Sequence, residues 1–357
     1  MTTSLNSSPM DPTERLLRAC RREPTDRPPI WIMRQAGRYM PSYQAVRRRV
    51  SFMELCRTPQ IACEVTLMPI DQLGVDAAIL FSDILVPLEG MGLDVSFGDG
   101  GPRVAPPLRS EADIDRLAVD HAADDVAYVY DAVRVIKDAL GGRVPLLGFA
   151  GAPLTLASYA IEGGSSRHLH ELRRLMYDAP EALERLLDKL TTVIARYVRH
   201  QVVAGADAIQ LFDTWGGAFT EAQWRRFSLP YTRRILEALR ETGVPTIHYA
   251  LGASHLIPAL SELPCDVLSV DWREPLAAVR ARTGGRFALQ GNVDPGVLRA
   301  EPRHIRAAVA ACLEDYGPGP GHILNLGHGI TPDVTVDAAR TLVAAAQELG
   351  AARGEGR

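Results

Sequence analysis

The chain has 357 residues, 46% of them hydrophobic, with a formal net charge of −4 and a pI near 6.2. That balance excludes a broad nucleic-acid or anionic-membrane surface, so any anion site must be a local concentration of arginine. Five scattered cysteines without a C-x-x-C fit the reduced thiols of a cytoplasmic protein rather than a disulfide framework, and no run of about 18 apolar residues offers a membrane span.

Residues 1–11 are polar, lack the apolar core of a signal peptide and read as a disordered tail. A short helix is expected over 12–21. Residues 29–33 form an apolar strand that ends abruptly at Arg34, and Arg38 follows with Gly37 between them. Two guanidiniums at the end of a buried strand are hard to explain as packing. Arginine keeps its charge, and its planar fork suits carboxylate or phosphate. The plainer alternative is a structural pair bonded to carbonyls and surface carboxylates. Thr58-Pro59 opens a helix that Gly74 closes. Residues 76–81 form a continuous apolar strand ending in Ser82-Asp83. Residues 90–107, with Asp99-Gly100 inside, read as a hairpin or long loop. Ser110 starts a helical turn, and an amphipathic helix covers 125–140.

Six more apolar strands follow, at 144–149, 207–212, 244–249, 266–270, 286–290 and 321–326. Helices are expected between them, at 153–161, at 180–204 and, behind the capping box Thr220-x-x-Gln223, at 220–240. Thr331-Pro332 caps the last helix, and 351–357 read as a flexible tail. Eight strands alternating with helices, with no linker to split 12–350, are most simply one (β/α)8 barrel. A doubly wound open sheet is the alternative, weakened by the lack of a G-x-G-x-x-G after any strand.

In a barrel the residues just past each strand share one mouth at the C-terminal strand ends. Those residues are Arg34, Arg38, Asp83, Gly151 with Tyr159 beyond it, Asp213-Thr214, Asp271, Asn292 and His328. Each has a plainer role open to it: Asp83 a helix cap, Tyr159 a core residue, Thr214 a backbone cap. The glycines flanking His328 suggest that a ligand approaches the backbone there. Of Arg47, Arg48 and Arg49, at most one should reach the pocket. At His248-Tyr249-Ala250, alanine stands where a His-x-Cys zinc site would need cysteine, so no metal is expected.

Several stretches now carry a family likeness. Met33-Arg-Gln-Ala-Gly-Arg-Tyr39, Phe81-Ser-Asp-Ile-Leu85, Gly148-Phe-Ala-Gly-Ala-Pro153, Gly291-Asn-Val-Asp294 and Leu324-Asn-Leu-Gly-His-Gly329 together resemble the uroporphyrinogen decarboxylase family, in order and over nearly the whole chain. The resemblance implies a single distorted TIM barrel, a homodimer with clefts near its interface, and no cofactor. It also implies conversion of four acetate arms of uroporphyrinogen III to methyls, a step of haem biosynthesis. The family's substrate-binding segment falls on Arg34, Gln35, Ala36, Gly37 and Arg38, its central carboxylate on Asp83 and its tyrosine on Tyr159. Its hydroxyl residue, serine in many relatives, falls on Thr214, its histidine on His328 and a further arginine on Arg47. Arg34 and Asp83 carry the expected catalytic roles, with Tyr159, Thr214 and His328 on peripheral carboxylates.

Overall fold

The apolar runs pair in chain order. The computed structural model describes residues 9–98 and 100–355. Its strands are β1 Ala78–Ile79, β2 Asp94–Gly98, β3 Gly101–Ala105, β4 Leu146–Gly151, β5 Ala208–Asp213, β6 Thr246–Ala250, β7 Val267–Ser269, β8 Ala288–Gln290 and β9 His322–Ile323. β2 and β3 form the antiparallel hairpin expected in the glycine-rich stretch, although Asp99 at its tip lies outside the described residues. The other seven make one sheet, parallel throughout, in the order β1-β4-β5-β6-β7-β8-β9. The fold is therefore α/β with a seven-stranded parallel sheet.

Both faces of these strands are buried, as their unbroken apolar character requires. Alternation along the strands separates two cores. Leu147, Ala208, Ile247, Tyr249, Val267, Ala288 and Ile323 join Trp31, Met33 and Ala77 in a small cluster. The opposite faces join a much larger cluster with the helices, among them Pro59–Leu73, Tyr128–Leu140 and Pro180–Ala204.

Residues 29–33 depart from expectation. In place of a strand they make one isolated bridge, Ile30 to Leu324. Leu324 N donates to the Pro29 carbonyl (2.9 Å) and Trp31 N to the Leu324 carbonyl (3.4 Å), while Asp76 N donates to the Ile30 carbonyl (2.7 Å). The ladder stops because its donors are lost or diverted. Pro28 and Pro29 have no N–H. Ile30 N donates to Asp76 Oδ2 (2.9 Å), Ile32 N to Gln35 Oε1 (3.1 Å) and Met33 N to Asn325 Oδ1 (2.9 Å).

Other boundaries also shift. The helix expected over 220–240 is two, Glu221–Phe227 and Leu229–Arg240, since Pro230 cannot continue the first. The last helix, Val336–Glu355, starts at Thr335, whose Oγ1 accepts from Ala338 N (3.1 Å), and not at Thr331. It continues past 350, where a frayed tail was expected, and Arg353 donates to the Leu313 carbonyl. At the other end, residues 1–8 of the expected tail lie outside the described residues. Asp11 is the cap of the helix Pro12–Cys20, its Oδ1 accepting from Thr13 N (2.9 Å) and Glu14 N (3.1 Å). Among the described residues, no helix is long and apolar enough to cross a membrane.

The buried Asp76 carboxylate ties 29–33 to the fold. It accepts from Ile30 N, from Arg27 (2.6 and 2.8 Å) and from Arg15 (3.1 Å). Removing one partner of such a group leaves the others desolvated and unpaired, at a cost of about 3–5 kcal/mol. Asp76→Ala should lower the urea-unfolding free energy by that amount; a loss below about 1 kcal/mol would show that the clamp is not what holds the segment.

Candidate active site

Past Met33 the chain turns sharply, with Gln35 N donating to the Ile32 carbonyl (2.8 Å). Arg34 occupies this turn with φ +63°, a left-handed conformation that favours glycine. Such a residue costs on the order of 1–3 kcal/mol and persists only where its surroundings enforce it. Here they do: Gln35 Nε2 also donates to the Ala77 carbonyl (3.0 Å), and Ile330 N donates to the Met33 carbonyl (2.9 Å). Gln35 is 1% exposed, and its side chain and main chain are both committed within the fold, its carbonyl oxygen accepting from the Tyr39 hydroxyl (2.6 Å).

The turn presents an exposed Arg34, with Arg38 exposed four residues on. Among the described residues neither guanidinium has a hydrogen bond or ion pair, which disposes of the structural-pair alternative. The N–H groups of Ala36, Gly37 and Arg38 likewise have no protein acceptor. Two guanidiniums and three adjacent amides are groups of the kind that bind anions.

Asp83 lies close enough to Arg34 to feel its charge. It is half-buried, and its Oδ1 accepts from Leu85 N (2.9 Å), so it does cap its own turn. Burial pushes its carboxyl up to about 6, against the pull of the Leu85 N–H and the Arg34 charge. Tyr159, on the helix Pro153–Glu162, is 9% exposed, with its ring centroid 6.1 Å from that of Trp215. Burial raises its pKa, and the charges of Asp83 and Arg34 both act on it. His328 is half-buried, with Nδ1 2.8 Å from the Tyr249 hydroxyl. Burial and the charges of Arg34 and Arg273 hold its pKa down to about 4. The structure thus gathers Arg34, Asp83, Tyr159 and His328, four residues distant in sequence.

Thr214, just past β5, is half-buried and has no hydroxyl partner among the described residues. Its neighbour Asp213 is a correction. Expected at the mouth, it is fully buried and accepts from Thr155 Oγ1 (2.9 Å), Trp224 Nε1 (2.8 Å) and Ser228 Oγ (3.1 Å). Asn292 is similarly committed, donating to the carbonyls of Asp271 (2.9 Å) and Glu274 (2.7 Å). Asp271 pairs with Arg273 (3.4 Å). Arg47 is half-buried; it donates to the Val50 carbonyl and lies 5.8 Å from the Phe52 ring centroid.

The glycines around His328 each make room for a protein neighbour. A Cβ at Gly327 would lie 2.9 Å from Trp272 Cα, and one at Gly329 would lie 2.8 Å from Arg34 Cγ and 3.0 Å from Nε. Gly329 is the floor on which the Arg34 stem rests. Sequence reasoning passed over Tyr249, which period-2 alternation beside His248 puts on the inner face. Among the described residues, no group of three or more His, Cys, Asp or Glu is placed to hold a metal.

The raised Asp83 pKa fixes the sign of one effect. Its ordinary value is 3.8, so between about pH 4 and 6 the folded chain binds this proton more tightly than the unfolded chain does. Through Asp83, stability therefore falls as pH rises across that window. Asp83→Asn, which keeps an acceptor for Leu85 N, should be at least as stable as the parent in urea at pH 7.5. A variant clearly less stable there would refute the burial penalty.

Comparison with known proteins gives the family. The family model for uroporphyrinogen decarboxylase (URO-D) matches residues 11–349. A uroporphyrinogen decarboxylase of Alkalilimnicola ehrlichii is 49% identical over 342 residues, covering 94% of each chain. One of Hydrogenovibrio crunogenus is 46% identical, over 94% of this chain and 97% of its own. Among solved structures, a methyltransferase from Methanosarcina mazei superposes with a TM-score of 0.80 at 22% identity, covering 95% of this chain and 99% of its own, a likeness of fold alone. With a family model over residues 11–349 and close to half its residues shared along almost the full length of such relatives, the chain belongs to the uroporphyrinogen decarboxylase family.

Proposed function

We propose that the chain is a uroporphyrinogen decarboxylase, releasing carbon dioxide from the four acetate arms of uroporphyrinogen III to give coproporphyrinogen III. The observation that carries this is Arg34 and Arg38, unpartnered among the described residues, with the charge of Arg34 acting on the half-buried Asp83. Curated relatives of nearly the same length bear the enzyme's name.

The substrate is a flexible ring of four pyrroles with eight carboxylates. A chain of net charge −4 binds such a polyanion only through concentrated local cations. Arg34 and Arg38, with the amides of Ala36, Gly37 and Arg38, supply them, and Arg47 extends the cationic rim. The pyrrole N–H groups are donors, and the Asp83 carboxylate accepts from them at the ring centre. Tyr159 and Thr214 offer hydroxyls to peripheral carboxylates, with His328 beside them.

Decarboxylation needs a place for the electron pair of the breaking C–C bond. Protonating a pyrrole α-carbon makes the ring an iminium-like cation, and that cation receives the pair as carbon dioxide leaves. The resulting exocyclic methylene takes a proton to become methyl, and the ring proton is returned. This chemistry needs no cofactor, because the substrate is its own electron sink. With a carboxyl near 6, Asp83 is mostly ionised at neutral pH and stabilises the cation as it forms. Guanidinium is too weak an acid to be the proton donor, so Arg34 holds the scissile acetate.

The same proposal extends to architecture. Residues 29–33, bonded to Leu324 on one side and Asp76 on the other, stand in the eighth position of a distorted (β/α)8 barrel with its cleft at the C-terminal strand ends. Residues 12–350 act as one catalytic unit, in a cytoplasmic homodimer whose clefts lie near the interface. Ala250, where a thiolate would be needed for zinc, counts against a thiol methyltransferase.

Anaerobic incubation with uroporphyrinogen, followed by chromatography, should show intermediates with seven, six and five carboxyls and then the four-carboxyl product. Asp83→Asn should lose turnover on the order of 100-fold or more; full turnover in that variant would remove its assigned role. Gly329→Ala displaces the Arg34 stem, so it should cut kcat/KM roughly tenfold while leaving the melting temperature within a few degrees. Unchanged kcat/KM would show that the Arg34 position is not critical.

A further inference from the structure

Tyr249 has no part in the chemistry above, yet it is fully buried behind the site. Its ring stacks on that of His328, with centroids 6.0 Å apart and planes 9° from parallel. Its hydroxyl is 2.8 Å from His328 Nδ1 and 3.1 Å from the Gly327 carbonyl oxygen. A phenol has one proton to give and lone pairs with which to accept. The Gly327 carbonyl can only accept, and among the described residues it has no other donor. The phenol proton therefore goes to Gly327, and the hydroxyl oxygen faces Nδ1 as an acceptor. Nδ1 must then carry a hydrogen.

The ring is neutral in this setting. Burial and the neighbouring Arg34 and Arg273 oppose a second proton on His328, with Asp271 pulling the other way, and burial keeps Tyr249 a phenol. A neutral imidazole with hydrogen on Nδ1 has a bare lone pair on Nε2. Nε2 has no protein partner among the described residues and is not among the buried, unpartnered atoms, so it is accessible.

We propose that Tyr249 is a positioning residue that fixes His328 as the Nδ1–H tautomer, so that Nε2 meets the ligand as a hydrogen-bond acceptor. His328 then selects a hydrogen-bond donor, a protonated carboxyl, and disfavours a carboxylate at that point on the rim. This choice of ligand group rests on the tetrapyrrole reading of the site; the tautomer does not.

Nitrogen NMR of the ligand-free, histidine-labelled protein, with the His328 signals identified by their loss in His328→Gln, tests it. The parent should show a protonated Nδ1 and a pyridine-like Nε2. Tyr249→Phe, which removes the acceptor, should move the ring toward the Nε2–H form and raise KM for uroporphyrinogen roughly five- to tenfold with a smaller change in kcat. A parent ring carrying its hydrogen on Nε2, or an unchanged tautomer in Tyr249→Phe, would overturn the proposal. Because the tautomer is read without substrate, a failure to turn over uroporphyrinogen is distinguishable from a failure of the positioning role.

Discussion

Three main-chain N–H groups, on Ile30, Ile32 and Met33, donate to side chains where a strand would donate to its neighbour. The acceptors are Asp76, Gln35 and Asn325, all buried. Buried amides must find partners, and these side chains provide them without extending a ladder. The segment is thereby free to leave the sheet within a residue or two of its bridge and turn at Arg34. Had a regular ladder continued, side chains would have alternated between the two faces of the sheet, and Arg34 would not have stood at a turn. The strained backbone of Arg34 is affordable only because both flanks are held in this way.

The same economy governs the charges. Ion pairs are common on this surface, but among the described residues Arg34 and Arg38 have none. An unpaired, exposed guanidinium stays hydrated at little cost, and it keeps its full binding capacity for an arriving anion. Asp83 is treated differently. Burial penalises its charge, and Arg34 and one amide only partly offset that penalty. It is therefore poised to gain from any positive charge developing beside it, which is the condition for stabilising a transition state rather than a ground state. His328, close to the same guanidinium, is held neutral by the combination of burial and repulsion.

Much of this was legible in the residues. Continuous apolar runs gave the positions of the parallel strands to within a few residues. The Arg-x-x-x-Arg stretch, Asp83 and His328 stood out because charged or ionisable groups follow buried strands there. The strand-end rule was less discriminating. Asp213 and Asn292 follow strands just as Asp83 does, yet they are consumed by internal hydrogen bonds. The rule places Cα atoms at a mouth; it does not say whether a side chain turns toward the cleft or back into the fold. The glycines beside His328 discriminate no better, since a missing Cβ accommodates a protein neighbour as readily as a ligand.

By itself, then, the sequence determined the α/β class, the order of the strands and the chemical character of the site, because hydrophobic period and residue type are local properties. Only the tertiary structure decided that 29–33 bridges without forming a strand, that Arg34 rests on Gly329, and that Tyr249 stands behind His328. Those features depend on contacts between residues as many as 295 positions apart, as with Arg34 and Gly329, and no local pattern encodes which donor a buried acceptor will meet.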